Sequence, residues 1–380
     1  VFCIGWMVCC AQTKPVAVGA EATNEYFPLL KGKRIAVLSN HTGMVGNEHL
    51  VDLLKRKDFN VVCIFSPEHG FRGNADAGEH VSSSMDEKTG IPILSLYDGD
   101  TGKPSVKSMS LFDVLVFDLQ DVGLRFYTYY ATMVRMMDAC AESQKKMIIL
   151  DRPNPNGHYV DGPILDMKYK SGVGWLPIPV VHGMTLGELA MMVNGEKWLP
   201  EGRICDISVI KCKNYTHQTM YQLPVPPSPN LPTMKAVYMY PSTCYFEATP
   251  VSLGRGTDKP FLVYGHPNML SYSFSFTPRS IPGAKNPPQL NKICYGVDLS
   301  NLSESDIWKK GVDLTYLIDA YTNLNMGDHF FRSFFEKLIG VSYVREMIKD
   351  GCSADEIKKK WSDDVEKFKK QRAPYLLYQE

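Results

Sequence analysis

Through the first two thirds of the chain, apolar residues gather in short unbroken runs separated by longer mixed stretches. The runs at 34–39, 61–65, 91–96, 114–117 and 146–150 are rich in Val, Ile, Leu and Phe and are followed by polar or turn-forming residues. Runs of this length without polar alternation predict strands buried on both faces. Helical spacing is found near 48–56 and, with many Met and Ala, over 128–143. Thr185-Leu186-Gly187-Glu188 reads as a capping box opening a further helix, just after Ile178-Pro179-Val180-Val181 has led to His182-Gly183.

Strand, polar loop and helix in repetition predict an α/β fold, a mostly parallel sheet with helices on both faces. In such sheets ligands bind beyond the carboxyl ends of the strands. The pattern changes after Leu223. The prolines of 224–232 favour neither helix nor central strand and predict an extended connector. Past it, 236–240, 261–263, 271–276 and 293–297 read as strands of a smaller mixed α+β domain, closed by helices near 313–323 and 354–371. The expected organisation is a leader and linker at 1–21, a larger domain at 22–239 and an auxiliary domain at 240–380 that completes the cleft.

Composition narrows the function classes. The 380 residues carry no formal net charge, with 44% hydrophobic and 22% charged residues. That balance predicts a soluble globular chain and advertises no basic face for nucleic acid or anionic lipid. The apolar start, residues 1–12, is too short to span a bilayer. It resembles the end of a secretory segment, and Met-Val-Cys-Cys resembles a bacterial lipoprotein box with Cys10 (or Cys9) as the lipidated residue. The expectation is an exported bacterial protein, periplasmic or held to a membrane as a lipoprotein. Seven further cysteines form no CxxC pair; most are expected to be small buried hydrophobes, with a Cys205–Cys212 bridge left open.

The candidate chemistry sits after the strands. Ser66-Pro67-Glu68-His69-Gly70-Phe71-Arg72-Gly73 packs a carboxylate, an imidazole and a guanidinium between glycines. Glu68 beside apolar walls would be a protonated general acid; paired with Arg72 it would be structural. Asn40, His41 and His69 follow the first two strands. Asp118, Gln120, Asp121, Arg125 and Tyr127 follow the fourth, Asp151 and Arg152 the fifth, and His182 the apolar stretch before it. Two histidines before glycine, His69 and His182, suggest a shared pocket. Cleavage of a glycosidic bond needs a second carboxyl, for which Asp118, Asp121 and Glu247 are open. Asp121 could instead cap the next segment, and Asp151 could pair with Arg152. The arginines suit bidentate recognition of an anionic group or pairing with those aspartates. Tyr127, Tyr129 and Tyr130 suit either sugar stacking or core packing. Glu247 and Arg255, past the connector, could close a cleft. HExxH and related spacings are absent, so neither metal nor cofactor is expected.

Six ordered motifs together carry a resemblance. Residues 39–43, 66–73, 117–129, 151–155, 227–233 and 254–261 closely resemble the exo-β-N-acetylmuramidases of the NamZ type, over almost the whole chain. The resemblance implies a Rossmann-like catalytic domain followed by a smaller auxiliary one. It also implies release of N-acetylmuramic acid from the non-reducing end of peptidoglycan fragments of the MurNAc–GlcNAc kind, in cell-wall turnover. Glu68 is then the implied catalytic acid, with the other strand-end residues lining the sugar pocket. Ala248 and Pro250 depart from the Glu-Gly-Thr-Asn run of the family. Two rival readings remain open: a non-catalytic muropeptide-binding lipoprotein, and a metal-dependent hydrolase or amidase using His69, His182 and acidic residues.

Overall fold

A computed structural model describes residues 14–67, 71, 84–96 and 103–380. Its centre is a seven-stranded sheet in the order β5-β6-β4-β1-β7-β8-β9. The strands are β1 (Ile35–Ser39), β4 (Val61–Phe65), β5 (Ser84–Met85), β6 (Pro92–Leu94), β7 (Val114–Asp118), β8 (Lys146–Leu150) and β9 (Ile207–Ile210); β2 (Met44–Val45) and β3 (Glu48–His49) form a small hairpin beside them. All pairings in the large sheet are parallel except that of β5 with β6.

The inner strands alternate between two cores. Ala36, Leu38, Leu115, Phe117, Met147 and Ile149 face one hydrophobic cluster; Ile35, Val37, Val114, Val116, Ile148 and Leu150 face the other. Residues one apart point to opposite faces of a sheet, so a run without polar positions is what two covered faces require. Helices α1 (Thr23–Leu30) and α2 (Leu50–Arg56) contribute to the second cluster. Helices α3 (Val106–Ser110), α4 (Tyr129–Glu142) and α5 (Leu186–Gly195) contribute to the first. Thr185 caps α5 as the sequence predicts, its hydroxyl accepting from Glu188 N while Glu188 returns to Thr185 N.

Beyond the connector lie α6 (Met234–Thr243), an antiparallel sheet β10-β12-β11 from β10 (Val263–His266), β11 (Phe274–Phe276) and β12 (Cys294–Asp298), and α7 (Glu304–Lys310), α8 (Thr315–Leu324), α9 (Phe335–Ile339), α10 (Tyr343–Lys349) and α11 (Ala354–Arg372). Phe261, Leu317, Phe335 and Trp361 belong to the same apolar cluster as Phe117 and Ile149, so the smaller part shares a core with the larger.

Two expectations need correction, for the strands at 236–240 and before His182, and one open pairing is decided. Residues 236–240 are helical, because Thr233 accepts from Ala236 N and starts α6. Residues 178–181 join no sheet; Val181 makes isolated bridges to Leu124 and Asp161. All described cysteines are free thiols, so Cys205 and Cys212 are not bridged.

Candidate active site

The carboxyl ends of β1 and β7 are in register, Ser39 opposite Asp118, which brings their loops together. Asn40 Oδ1 accepts from Thr42 N at 3.0 Å and from Thr42 Oγ1 at 2.6 Å, while its Nδ2 donates to Tyr129 OH at 2.8 Å. Thr42 Oγ1 in turn accepts from Gln120 N at 3.2 Å. Gln120 Nε2 donates to Asp121 O and to Pro153 O, both at 2.8 Å. Three strand-end loops are thus laced into one rigid rim by short polar residues.

Asp118 and Arg152 form its central strut. Arg152 Nε and Nη2 donate to the two Asp118 oxygens at 2.6 and 3.0 Å, and Nη2 also reaches Met44 O at 2.9 Å. Both side chains are almost fully enclosed. Burial disfavours the Arg152 cation, but the Asp118 carboxylate more than offsets this and raises the guanidinium pKa. With its oxygens committed to a buried fork, Asp118 holds the rim and leaves the list of candidate acids and bases. Arg152 likewise binds Asp118 and not Asp151.

Asp121 is different. Its Oδ1 accepts from Gly123 N at 2.7 Å, whereas Oδ2 is buried without a hydrogen-bond partner among the described residues. Burial pushes its carboxyl up to about 7, against weaker lowering by the N–H groups of Gly123, Val122 and Tyr130. The turn depends on glycine: at Gly123, with φ +77°, a Cβ would lie 2.1 Å from Asn154 Oδ1.

The proline-rich connector crosses this rim. Tyr127 OH donates to Pro227 O at 2.8 Å and His41 Nε2 meets Pro226 O at 2.9 Å. From Tyr127 an aromatic column runs toward the smaller part: its ring centroid lies 4.7 Å from Tyr129 and 6.5 Å from Tyr240, and Tyr240 lies 4.7 Å from Phe261. Phe261 is held at φ +62°, which is costly for a bulky side chain and common at functional sites. The Arg255 guanidinium lies 5.1 Å from its ring centre and donates through Nη2 and Nε to Glu247 Oε1 at 2.5 and 3.1 Å. Glu247 Oε2 has no hydrogen-bond partner among the described residues.

Three expected pocket residues serve the fold instead. Arg125, 0% exposed, spends its guanidinium on Pro163 O, Ile178 O, Leu338 O and Ile339 O at 2.6–3.0 Å. It brackets the two parts of the chain and has no fork left for a substrate. Asp151 accepts from Thr185 Oγ1 (2.6 Å), Gly187 N (2.9 Å) and Tyr378 OH (2.6 Å) beneath the C-terminal segment, with burial lifting its carboxyl to about 6. His182 is fully enclosed, accepts from Met184 N at 3.2 Å, and is pushed down to about 3 by burial with Arg372 and His217 nearby. It is not a second pocket histidine.

Glu68, His69 and Arg72 lie outside the described residues. Their flanks do not: Ser66 and Phe71 are buried, the Phe71 ring 4.9 Å from that of His49, and Phe65 pairs with Leu38 in β1. Among the described residues no group of three His, Cys, Asp or Glu side chains is placed to hold a metal ion. The sequence left the roles of Thr42, Tyr240 and Phe261 unmarked. A threonine two residues after Asn40 was the only available signal for the first.

Two family models cover this geometry from end to end: exo-β-N-acetylmuramidase NamZ, N-terminal, matches residues 35–235, and its C-terminal counterpart matches residues 238–378. The chain belongs to the NamZ family. It is 39% identical over 379 residues to the peptidoglycan β-N-acetylmuramidase NamZ of Bacillus subtilis (strain 168), covering 93% of this chain and 89% of that protein. A DUF1343 family protein of Bacteroides fragilis with a crystal structure is 70% identical, with a TM-score of 0.91 over 97% of this chain and all of that one. A second such protein of B. fragilis is 29% identical, with a TM-score of 0.79 over 96% of this chain and 99% of that one.

Within the NamZ frame, the departing segment after Glu247 is internally braced. Thr249 Oγ1 donates to Phe246 O at 2.9 Å and accepts from Val251 N at 3.1 Å, and Pro250 O accepts from Gln289 Nε2 at 2.8 Å. The turn at Pro250 is therefore supported by neighbours that need no N–H from residue 250.

Proposed function

We propose that this chain is an exo-acting glycoside hydrolase that releases N-acetylmuramic acid from the non-reducing end of peptidoglycan fragments. The observation that carries the reading is the chain-long relationship to a peptidoglycan β-N-acetylmuramidase, joined to the half-bonded Asp121 carboxyl beyond the end of β7. Glu68 protonates the departing glycosidic oxygen. Asp121 is the second carboxyl: half protonated near neutral pH, it can take up and return a proton during the cycle. Arg255 binds the lactyl carboxylate that distinguishes muramic acid from glucosamine. Arg125 is consumed by the fold and Arg152 is sealed against Asp118, whereas Arg255 is braced through one Glu247 oxygen and stays partly exposed. The apolar residues 1–12 support work outside the cytoplasm, with attachment through Cys10.

The test is release of muramic acid from a MurNAc–GlcNAc fragment by Glu68→Gln, read beside its melting temperature. Abolished release with unchanged melting supports the assignment, and substantial turnover overturns it. The parent should keep full activity in a chelator. Loss restored by zinc or manganese would favour the metal-dependent rival, and saturable binding with no product the non-catalytic one.

A further inference from the structure

At the other end of the sheet, below the amino ends of β1 and β4, lies an open groove of about 820 Å3. Its floor is apolar: Phe27, Pro28 and Leu30 of α1 face Phe59, and the Phe27 and Phe59 ring centroids are 4.7 Å apart at 60°. Leu29, between two lining residues, is 41% exposed. Its rim is basic. Lys31, Lys33 and Lys57 line it, all exposed and none with an ion-pair partner among the described residues; Asp58 is the sole carboxylate in the described lining. Arg34, next in sequence, is already paired with Asp113 at 2.7 Å.

An apolar trough walled by three ammonium groups against one carboxylate is complementary to an amphiphile with an anionic head. The groove also lies at the opposite end of the sheet from the candidate site, about 17 Å away along the five-residue β1. We propose that this groove docks the protein on an anionic phospholipid surface, laying an acyl chain along the floor formed by the packed Phe27 and Phe59 rings while Lys31, Lys33 and Lys57 meet the phosphates. Docked this way, the strand carboxyl ends point away from the bilayer, so glycan enters from the open side. The lysines compact no core and touch no candidate site residue. The proposal therefore stands apart from the glycosidase reading.

The test is sedimentation of the full chain with vesicles of phosphatidylcholine alone and with phosphatidylglycerol added, for the parent and for Lys31→Glu/Lys33→Glu/Lys57→Glu. Each lysine near an anionic surface is worth about 1 kcal/mol, so the triple variant should lose roughly a hundred-fold in partitioning or more onto phosphatidylglycerol vesicles. The parent's binding should weaken with salt, while hydrolysis of soluble fragments and the melting temperature stay unchanged. Both proteins keep residues 1–13, so any contribution from that segment cancels. Equal partitioning of parent and variant overturns the proposal. So does binding of free dodecanoate in the groove without any lysine-dependent vesicle binding.

Discussion

Asp118–Arg152 and Glu247–Arg255 are both arginine–carboxylate pairs, yet they are built for different ends. In the first, two nitrogens meet two oxygens between strands β7 and β8, with the side chains 4% and 0% exposed. In the second, two nitrogens share one oxygen and the side chains stay 22% and 25% exposed beside a strained phenylalanine. A sealed pair whose two carboxylate oxygens are both engaged offers a ligand little surface and has much to lose if one partner goes. A half-open pair costs little to disturb and stays partly exposed. Sequence sets Asp151, not Asp118, beside Arg152; the pairing across 34 positions and the difference in enclosure appear only in the fold.

The largest effect should come from breaking the sealed pair. Asp118→Ala strands the Arg152 cation in the interior and should destabilise the fold by about 3–5 kcal/mol, read as a shift in the urea midpoint. Its loss of activity should follow the unfolded fraction. A stable Asp118→Ala protein with no turnover would instead return Asp118 to the catalytic carboxyls.

Asp121 extends the contrast to pH. Its carboxyl and that of Asp151 are raised, to about 7 and about 6. Above the ordinary carboxylate range the folded chain keeps protons that the unfolded chain has released, so stability falls as pH rises from about 4 toward 7. His182 works in the opposite sense: its depressed folded value means that stability is lost as pH falls from about 6.5 toward 3. Asp121→Asn removes the charge that burial opposes. It should gain on the order of 4 kcal/mol relative to the parent at pH 8, and almost nothing at pH 4. The same variant should lose the limb near pH 7 of the kcat profile. An unchanged profile would exclude Asp121 as the second carboxyl.

Arg255→Ala should be milder for the fold and selective for substrate. A hydrogen-bonded charge pair with the lactyl group is worth roughly 1.5–3 kcal/mol, so kcat/KM for a muramic acid substrate should fall about 10- to 150-fold. The glucosamine analogue, lacking the carboxylate, should not change. Equal losses on both sugars would mean that Arg255 holds structure rather than substrate.

How far the sequence reached depended on how local each signal is. The ends of β4 and β8 and the cap of α5 were legible because apolar runs and a capping box are written within a few residues. Helix α6 was not: prolines crowd its start, Pro241 sits inside it, and buried neighbours on all sides blur its period. Arg125 looked like a ligand arginine because its acceptors at Leu338 and Ile339 lie 213 and 214 positions away. His182 failed for the same reason, its strand-like approach being an isolated bridge and its enclosure coming from the chain's far end. The neutral total charge also concealed the basic groove, since a chain-wide sum says nothing about which lysines lack partners. The candidate site was legible as residue types at strand ends, but their division into sealed and open pairs was not.

The finest test of that division is Glu247→Gln. The amide retains an acceptor for Arg255, and the pair is partly solvated, so stability should move by less than about 1 kcal/mol. What changes is the charge that pins the guanidinium over Phe261. A loosened Arg255 binds the lactyl carboxylate less well in ground and transition states alike, so KM should rise several-fold with kcat nearly constant. A catalytic Glu247 predicts the reverse split, with kcat collapsing at unchanged KM, because its charge would matter only as the glycosidic bond breaks. The ratio of the two constants thus decides whether the open pair is a clamp or part of the chemistry.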